Sequence, residues 1–412
     1  MFKGLAYNSK TVDVSADFTN SSANALVEDC SKNAQVVNGE LRSVRAFKTH
    51  LTLPNILAGY EFPDDSGVFC VWNGIYRQRT PRMYQTISDT VFSQPSFLYC
   101  KMLNCVLISQ PNVGTFCYAG DDSEMVSTDF GFYSMAFCKE HAFGVVDDSL
   151  HFSNRANVRL WCGKIQLPAR VVAVVEYGDD LVVLGNDIFK VEFSDDLKNT
   201  KVTCLCRDVG TVFPRTVQNV KGKLIFLTNR GLCCFSQGKL TRLCEDISFA
   251  TDNPKAVSTQ LDGYWLLFDN SDGERRLLNI DSNGQRIIYE TRAVYVYGSY
   301  GKIIVVDKIR QVFGDEPAKL YWKSKECDFG NRFEQKYLRK LHVETLNSID
   351  VHLITEHERR IYHVKGGKHT IRLTGTFGKL VVEVHATEET SVKNLSITAQ
   401  CYGREVSHGY NI

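Results

Sequence analysis

The chain reads as all-β: a β-propeller of about seven blades, residues 56–315, followed by a C-terminal antiparallel β-sandwich, residues 316–412. Three observations predict this. First, residues 164–193 contain three short runs rich in Val and Ile, cut by Gly178-Asp179-Asp180 and Gly185-Asn186-Asp187. β-Branched side chains fit a pleated surface, and Gly, Asn and Asp supply the positive φ of tight hairpins, so this is an up-and-down antiparallel sheet. Second, the unit recurs. Its first turn falls near Gly67, Asn104, Glu140, Asp179, Gly222, Gly263 and Gly301, at steps of roughly 36 to 43 residues. A second turn follows each, at Asn73-Gly74, Val113-Gly114, Asp147-Asp148, Asn186-Asp187, Arg230-Gly231, Ser271-Asp272-Gly273 and Asp307-Lys308. One small sheet cannot bury both its faces, whereas radial stacking of such sheets buries them and leaves only short edges. Third, the periodicity changes near Asp315-Glu316-Pro317, and the strands beyond alternate more clearly.

Taken in order, residues 1–55 read as an arm carrying a ring-closing strand. Residues 8–24 are rich in Ser, Thr, Asn and Asp, which favour loops, and 23–33 fit a short helix before the turn Asn38-Gly39. Residues 40–47 form the expected strand. It either completes the last blade or ties to a neighbouring subunit. Within the repeats, Trp161 is expected to fill a gap between blades. Sandwich strands are expected at 340–345, 349–354, 360–364, 369–373, 379–384 and 396–402, with hairpins at Lys365-Gly366-Gly367-Lys368 and Gly375-Thr376-Phe377-Gly378.

Composition bounds the function. The 24 Phe, 18 Tyr and 4 Trp supply large cores. A net charge of +1 creates no global field for nucleic acid or anionic membrane, so any nucleic-acid contact has to be local. The 14 Cys include no CxxC pair and sit mostly in apolar runs such as Phe69-Cys70-Val71. They are expected as reduced thiols packed like small hydrophobes rather than as zinc ligands. The first residues lack an apolar stretch of signal-peptide length, and no run of about eighteen apolar residues occurs. The expectation is a chain folded in a reducing cytoplasm, with no membrane partner.

Several phrases carry a family resemblance. They are Cys30-Ser31-Lys32-Asn33 with Asn38-Gly39-Glu40-Leu41-Arg42-Ser43-Val44-Arg45, and His141-Ala142-Phe143-Gly144 with Leu150-His151-Phe152-Ser153 and Trp161. To these add Leu167-Pro168-Ala169-Arg170-Val171-Val172-Ala173 with Ile188-Phe189-Lys190-Val191, and Leu320-Tyr321-Trp322-Lys323-Ser324-Lys325 with Asp328-Phe329-Gly330. Together they resemble the propeller-type tail structural proteins of tailed bacteriophages, similar to podophage tail nozzle (tail tubular) proteins. The resemblance implies a virion component of the tail, made in the bacterial host cytoplasm. It would form a homo-oligomeric ring, six copies by analogy, around the DNA exit path. Its partners would be other tail or portal-adaptor proteins and non-specific DNA in the lumen. It transfers no catalytic residue, cofactor or metal. The alternative is a receptor-binding or glycan-processing propeller of the virion.

The chemistry-bearing residues are consistent with a non-enzyme. Seven of the ten His lie beyond position 340, at 342, 352, 357, 363, 369, 385 and 408, without a His-x-His pair, and read as ordinary strand histidines. Asp121-Asp122 and Asp179-Asp180 are adjacent carboxylates in turns, where Asp caps its own backbone. A glycosidase needs two facing carboxylates about 5 to 10 Å apart, which adjacency in a turn does not supply. There is no Gly-rich phosphate loop, sialidase-type turn or WD dipeptide. The strongest charge feature is a basic run: Lys323, Lys325, Arg332, Lys336, Arg339 and Lys340. It is either a solvated strand edge, or an interface to an acidic subunit or a DNA lumen.

Overall fold

The computed structural model describes residues 7–13, 31–51 and 56–402, the last without 63, 65, 81–82, 121–122, 128–129, 195–196, 198, 251–255, 300, 308, 325, 328 and 330–334. These divide into two units. One holds the described residues of Met1–Phe47, Gln285–Glu290 and Gly314–Ile412; the other holds those of Lys48–Gly284 and Thr291–Phe313.

Seven four-stranded antiparallel sheets make the propeller among the described residues. Blades 1 to 6 are consecutive in sequence, at 56–88, 96–127, 134–166, 171–206, 218–243 and 257–290. Blade 7 takes Tyr295–Ser299, Lys302–Asp307 and Ile309–Pro317, and its fourth strand is Arg45–Leu51 from the N-terminal segment. The turn residues explain the repetition: at the first hairpin of blade 5, Lys221 and Gly222 both take positive φ, 52° and 78°. That is the backbone twist a two-residue hairpin needs. The second strands are buried on both faces and so read as unbroken apolar runs, as in Leu224, Ile225, Phe226 and Leu227. Outer strands such as Trp161–Gln166 alternate half-buried and exposed positions.

Neighbouring blades are tied strand to strand. Tyr60 of blade 1 stacks on Tyr99 of blade 2 at 5.1 Å. Ser109 of blade 2 accepts from the Phe132 N–H at 2.8 Å, just ahead of blade 3. Ser134 of blade 3 donates to the Val174 carbonyl of blade 4, and Asn219 of blade 5 to that of Glu176. Gln218 of blade 5 donates to the Ser258 carbonyl of blade 6, whose Thr259 accepts from Gly298 N–H of blade 7. The ring closes where Tyr297 and Arg310 of blade 7 both donate to Glu61 of blade 1. Trp161 packs on Phe132 with ring centroids 4.5 Å apart, between blades 2 and 3.

The sandwich has two sheets over one core. The larger runs Ala34–Val37, Glu40–Ser43, Ser391–Tyr402, Lys336–Thr345, Gly367–Arg372, with Tyr7–Asp13 and Thr376–Phe377 pairing onto its long strands. The smaller runs Ser31–Lys32, Leu320–Lys323, Leu380–Ala386, Ile349–Thr355, Arg359–Val364. Leu341, Ile397, Val351, Leu353, Val382 and Val384 fill the space between them.

The described parts of the N-terminal segment thus form no free arm. Tyr7–Asp13, Ser31–Lys32, Ala34–Val37 and Glu40–Ser43 all belong to the sandwich, and Ala34 and Leu41 sit in its core. The ring-closing strand is Arg45–Leu51 rather than 40–47. The break falls at Val44, whose N–H donates to the Asn33 carbonyl and whose carbonyl accepts from Ala318 N–H. Of the expected helix at 23–33, residues 23–30 lie outside the described residues; Ser31–Lys32 is a strand. Twelve described cysteines are free thiols, eight of them buried.

Candidate functional site

The first strands of all seven blades line one central cavity of about 450 Å³. A cavity of this size admits a small molecule and not a nucleic-acid duplex. Its wall mixes apolar and polar residues, with Ser96, Ser134, Gln218, Tyr295 and Arg215 among the polar ones. Arg215 follows Pro214 at the head of blade 5, in a single 3₁₀ turn that Thr216 fastens by donating to the Phe213 carbonyl at 2.7 Å. Burial pushes the Arg215 guanidinium below its ordinary pKa, a shift that Tyr295 opposes and Arg275 reinforces. An arginine remains charged through such a shift, so the cavity wall holds a fixed positive charge at Arg215, and the acidic residue Glu176 lines the same wall.

The basic run does not form one patch. Lys323 lies half-buried on the smaller sandwich sheet, while Lys336, Arg339 and Lys340 lie on the larger one. Lys336 is fully buried; its ammonium donates to the Gly378 carbonyl at 3.1 Å and sits 6.0 Å from the Phe377 ring centre. It therefore faces neither a lumen nor a partner surface. Arg339 and Lys340 are exposed, and Arg339 binds Gln400 and stacks on Tyr337. Lys325 and Arg332 lie outside the described residues. Asp121-Asp122 is likewise outside them, and Asp180 pairs with Lys190 at 2.9 Å.

A different constellation forms on the outer face of the smaller sheet. Residues two apart share a face, so Leu380–Ala386 presents Glu383 and His385 together, and Ile349–Thr355 places His352 directly opposite Glu383. The imidazoles of His352 and His385 stack at 4.1 Å, 25° apart. Glu383 Oε2 lies 3.2 Å from His385 Nε2 and 3.5 Å from His352 Nδ1. Tyr321 donates to Glu383 Oε1 at 3.1 Å, and Arg359 Nη2 reaches His352 Nδ1 at 2.5 Å and Glu383 Oε2 at 2.9 Å. Burial, with the charges of His385 and Arg359, holds His352 below its ordinary pKa. Burial works against the Glu383 carboxylate, yet hydrogen bonds from His385 and Tyr321 and the charge of Arg359 keep its pKa below the ordinary value. A search for His-x-His passes over this group, because its sequence signal is Glu383-x-His385 plus one histidine on the neighbouring strand.

Fold and sites together define a seven-bladed β-propeller joined to a β-sandwich. Among solved structures, the chain is similar to PorZ, described as an essential bacterial surface component of the type-IX secretion system of Porphyromonas gingivalis. The identity is 11% and the TM-score 0.49, over 77% of this chain and 46% of that one, so the chain spans less than half the length of PorZ. It is also similar to the RRP9 WD40 repeats, at 8% identity and TM-score 0.47, over 66% of this chain and 99% of that one. The WD40 β-propeller domain of Doa1 is a third, at 13% identity and TM-score 0.44, over 66% and 98%. No protein-family model and no curated protein matches the chain.

Proposed function

We propose that this protein is a structural component of a bacteriophage tail, a nozzle or hub subunit whose copies form a ring around the DNA exit path. The observation that supports this most is the architecture together with the nozzle-like phrases embedded in it. A propeller closed by a strand from residues 45–51, in one chain with a sandwich built from segments far apart in sequence, suits a part that must hold its shape outside any cell that could refold it. The DNA conduit in this reading lies between subunits, since the 450 Å³ propeller cavity has no room for a duplex. Arg339 and Lys340, exposed on the larger sheet, are the described members of the basic run available to an acidic neighbour or to phosphates. Ring contacts are heterologous, one face meeting a different face of the next copy, with six copies expected. Electron microscopy of the particle tests this: the chain is expected in a ring on the tail axis. A second reading, receptor binding by the virion, draws on the cavity with Arg215, and peripheral spikes in the same images would favour it. Absence from particles would overturn both.

A further inference from the structure

The cluster at His352, Glu383 and His385 has the composition and the spacing of a metal-ligand set. One ligand atom from each lies within 4.8 Å of the others. Around a tetrahedral ion bound at about 2.0–2.2 Å, ligand atoms stand roughly 3.3 Å apart, and the two imidazole nitrogens, 3.2 and 3.5 Å from Glu383 Oε2, already match that. His352 and Glu383 are 8% and 7% exposed, while His385 is open enough to admit an ion from solvent. The position between them already holds a positive group. The Arg359 guanidinium donates to His352 Nδ1 and to Glu383 Oε2, so the imidazole lone pair and the carboxylate both point at a cation. Arg359 is half exposed and anchored at the sheet edge strand Arg359–Val364, so it can swing into water. Tyr321, by holding Glu383 Oε1, orients the carboxylate and leaves Oε2 directed at the histidines.

We propose that His352 Nδ1, Glu383 Oε2 and His385 Nε2 form a site for a divalent transition metal, with Arg359 as the resident cation that the metal displaces. Two imidazoles and one carboxylate select zinc, nickel, copper or cobalt over magnesium and calcium, which prefer all-oxygen shells. Three protein ligands leave a coordination position for water or an anion. The site stands independently of the tail reading.

The test is titration of the full-length, reduced protein with Co²⁺, followed by visible absorption, and with Zn²⁺, followed by calorimetry. One equivalent is expected, with ligand-field bands and without the intense near-ultraviolet charge transfer of cobalt bound to thiolate. His352→Asn and His385→Asn are each expected to weaken binding at least tenfold. His363→Asn, which alters an exposed histidine paired with Asp350, leaves binding unchanged. Arg359→Met tightens binding about tenfold, a change of sign that misfolding cannot imitate. Absence of a stoichiometric site in the wild-type chain, equal binding by His385→Asn, a thiolate spectrum, or weaker binding by Arg359→Met would each overturn the proposal.

Discussion

Arg310 shows how much of the ring rests on single side chains. It is fully buried, stacks 4.6 Å over Phe69, and binds Glu61 and Gln78, all from blade 1. Removing one member of a buried pair strands the other charge, at a cost of about 3–5 kcal/mol, whereas replacing both by apolar groups can be nearly neutral. Arg310→Met is therefore expected to destabilise the propeller by that amount in denaturant titration, and Glu61→Leu/Arg310→Met to recover most of it. If the double variant is as unstable as the single, the seam depends on more than this pair. His151 makes a second residue-scale prediction. Burial, with Lys164 opposite it, lowers its pKa from the ordinary 6.5, and its ring stacks on Phe130. Its neutral form is the one the fold favours. The contribution is complete above pH 6.5 and is lost as the pH falls through the lowered value, because the unfolded chain then binds the extra proton. Melting temperatures from pH 7 to 5 should fall less steeply in His151→Gln than in the wild type.

At the scale of the element, what was legible is what repeats. The hairpin turns were visible because Gly, Asn and Asp mark positive φ, and the second strands because burial on both faces leaves them apolar throughout. What was hidden depends on partners distant in sequence. Lys336 looks like surface charge within a run of basic residues, and only Phe377 and Gly378, supplied by another strand, make it an interior residue. The His352 site was hidden for the same reason, since its members come from two strands that pair only in the folded sheet. Gly144 is a case where the sequence carried a phrase without its cause. A Cβ there would overlap the ring of Phe132, so Gly144 is what lets that ring lie flat on blade 3. Gly144→Ala is expected to cost about 1–3 kcal/mol by overpacking, and Gly144→Ala/Phe132→Leu less. Equal losses in the two variants would show that the contact is not the reason.

For the whole molecule, the turn tally indicated seven blades, and among the described residues the four-stranded sheets number seven. The destination of the N-terminal segment was not readable, because Glu40–Ser43 and Arg45–Leu51 form one nearly continuous run whose division is set by Asn33 and Ala318. Deleting residues 1–43 removes strands from both sandwich sheets while sparing the fourth strand of blade 7. The expected outcome, read by hydrogen exchange, is lost protection in 336–402 with blades 2 to 5 still protected. Uniform loss throughout would mean that the two units unfold as one.

The fourth strand of blade 7 also imposes an order on biosynthesis. Arg45–Leu51 leaves the ribosome early, but Ile309–Pro317, the strand it must pair with, is made only after six other blades. At about 5–20 residues per second, the early strand waits on the order of tens of seconds with its edge unsatisfied. Blades 1 to 6, each complete within itself, can condense in the meantime as they emerge. Until Ile309–Pro317 is made, blade 7 lacks the strand that Arg45–Leu51 pairs with, and the propeller's vulnerability to pairing with a second copy is expected to be greatest just before that blade appears.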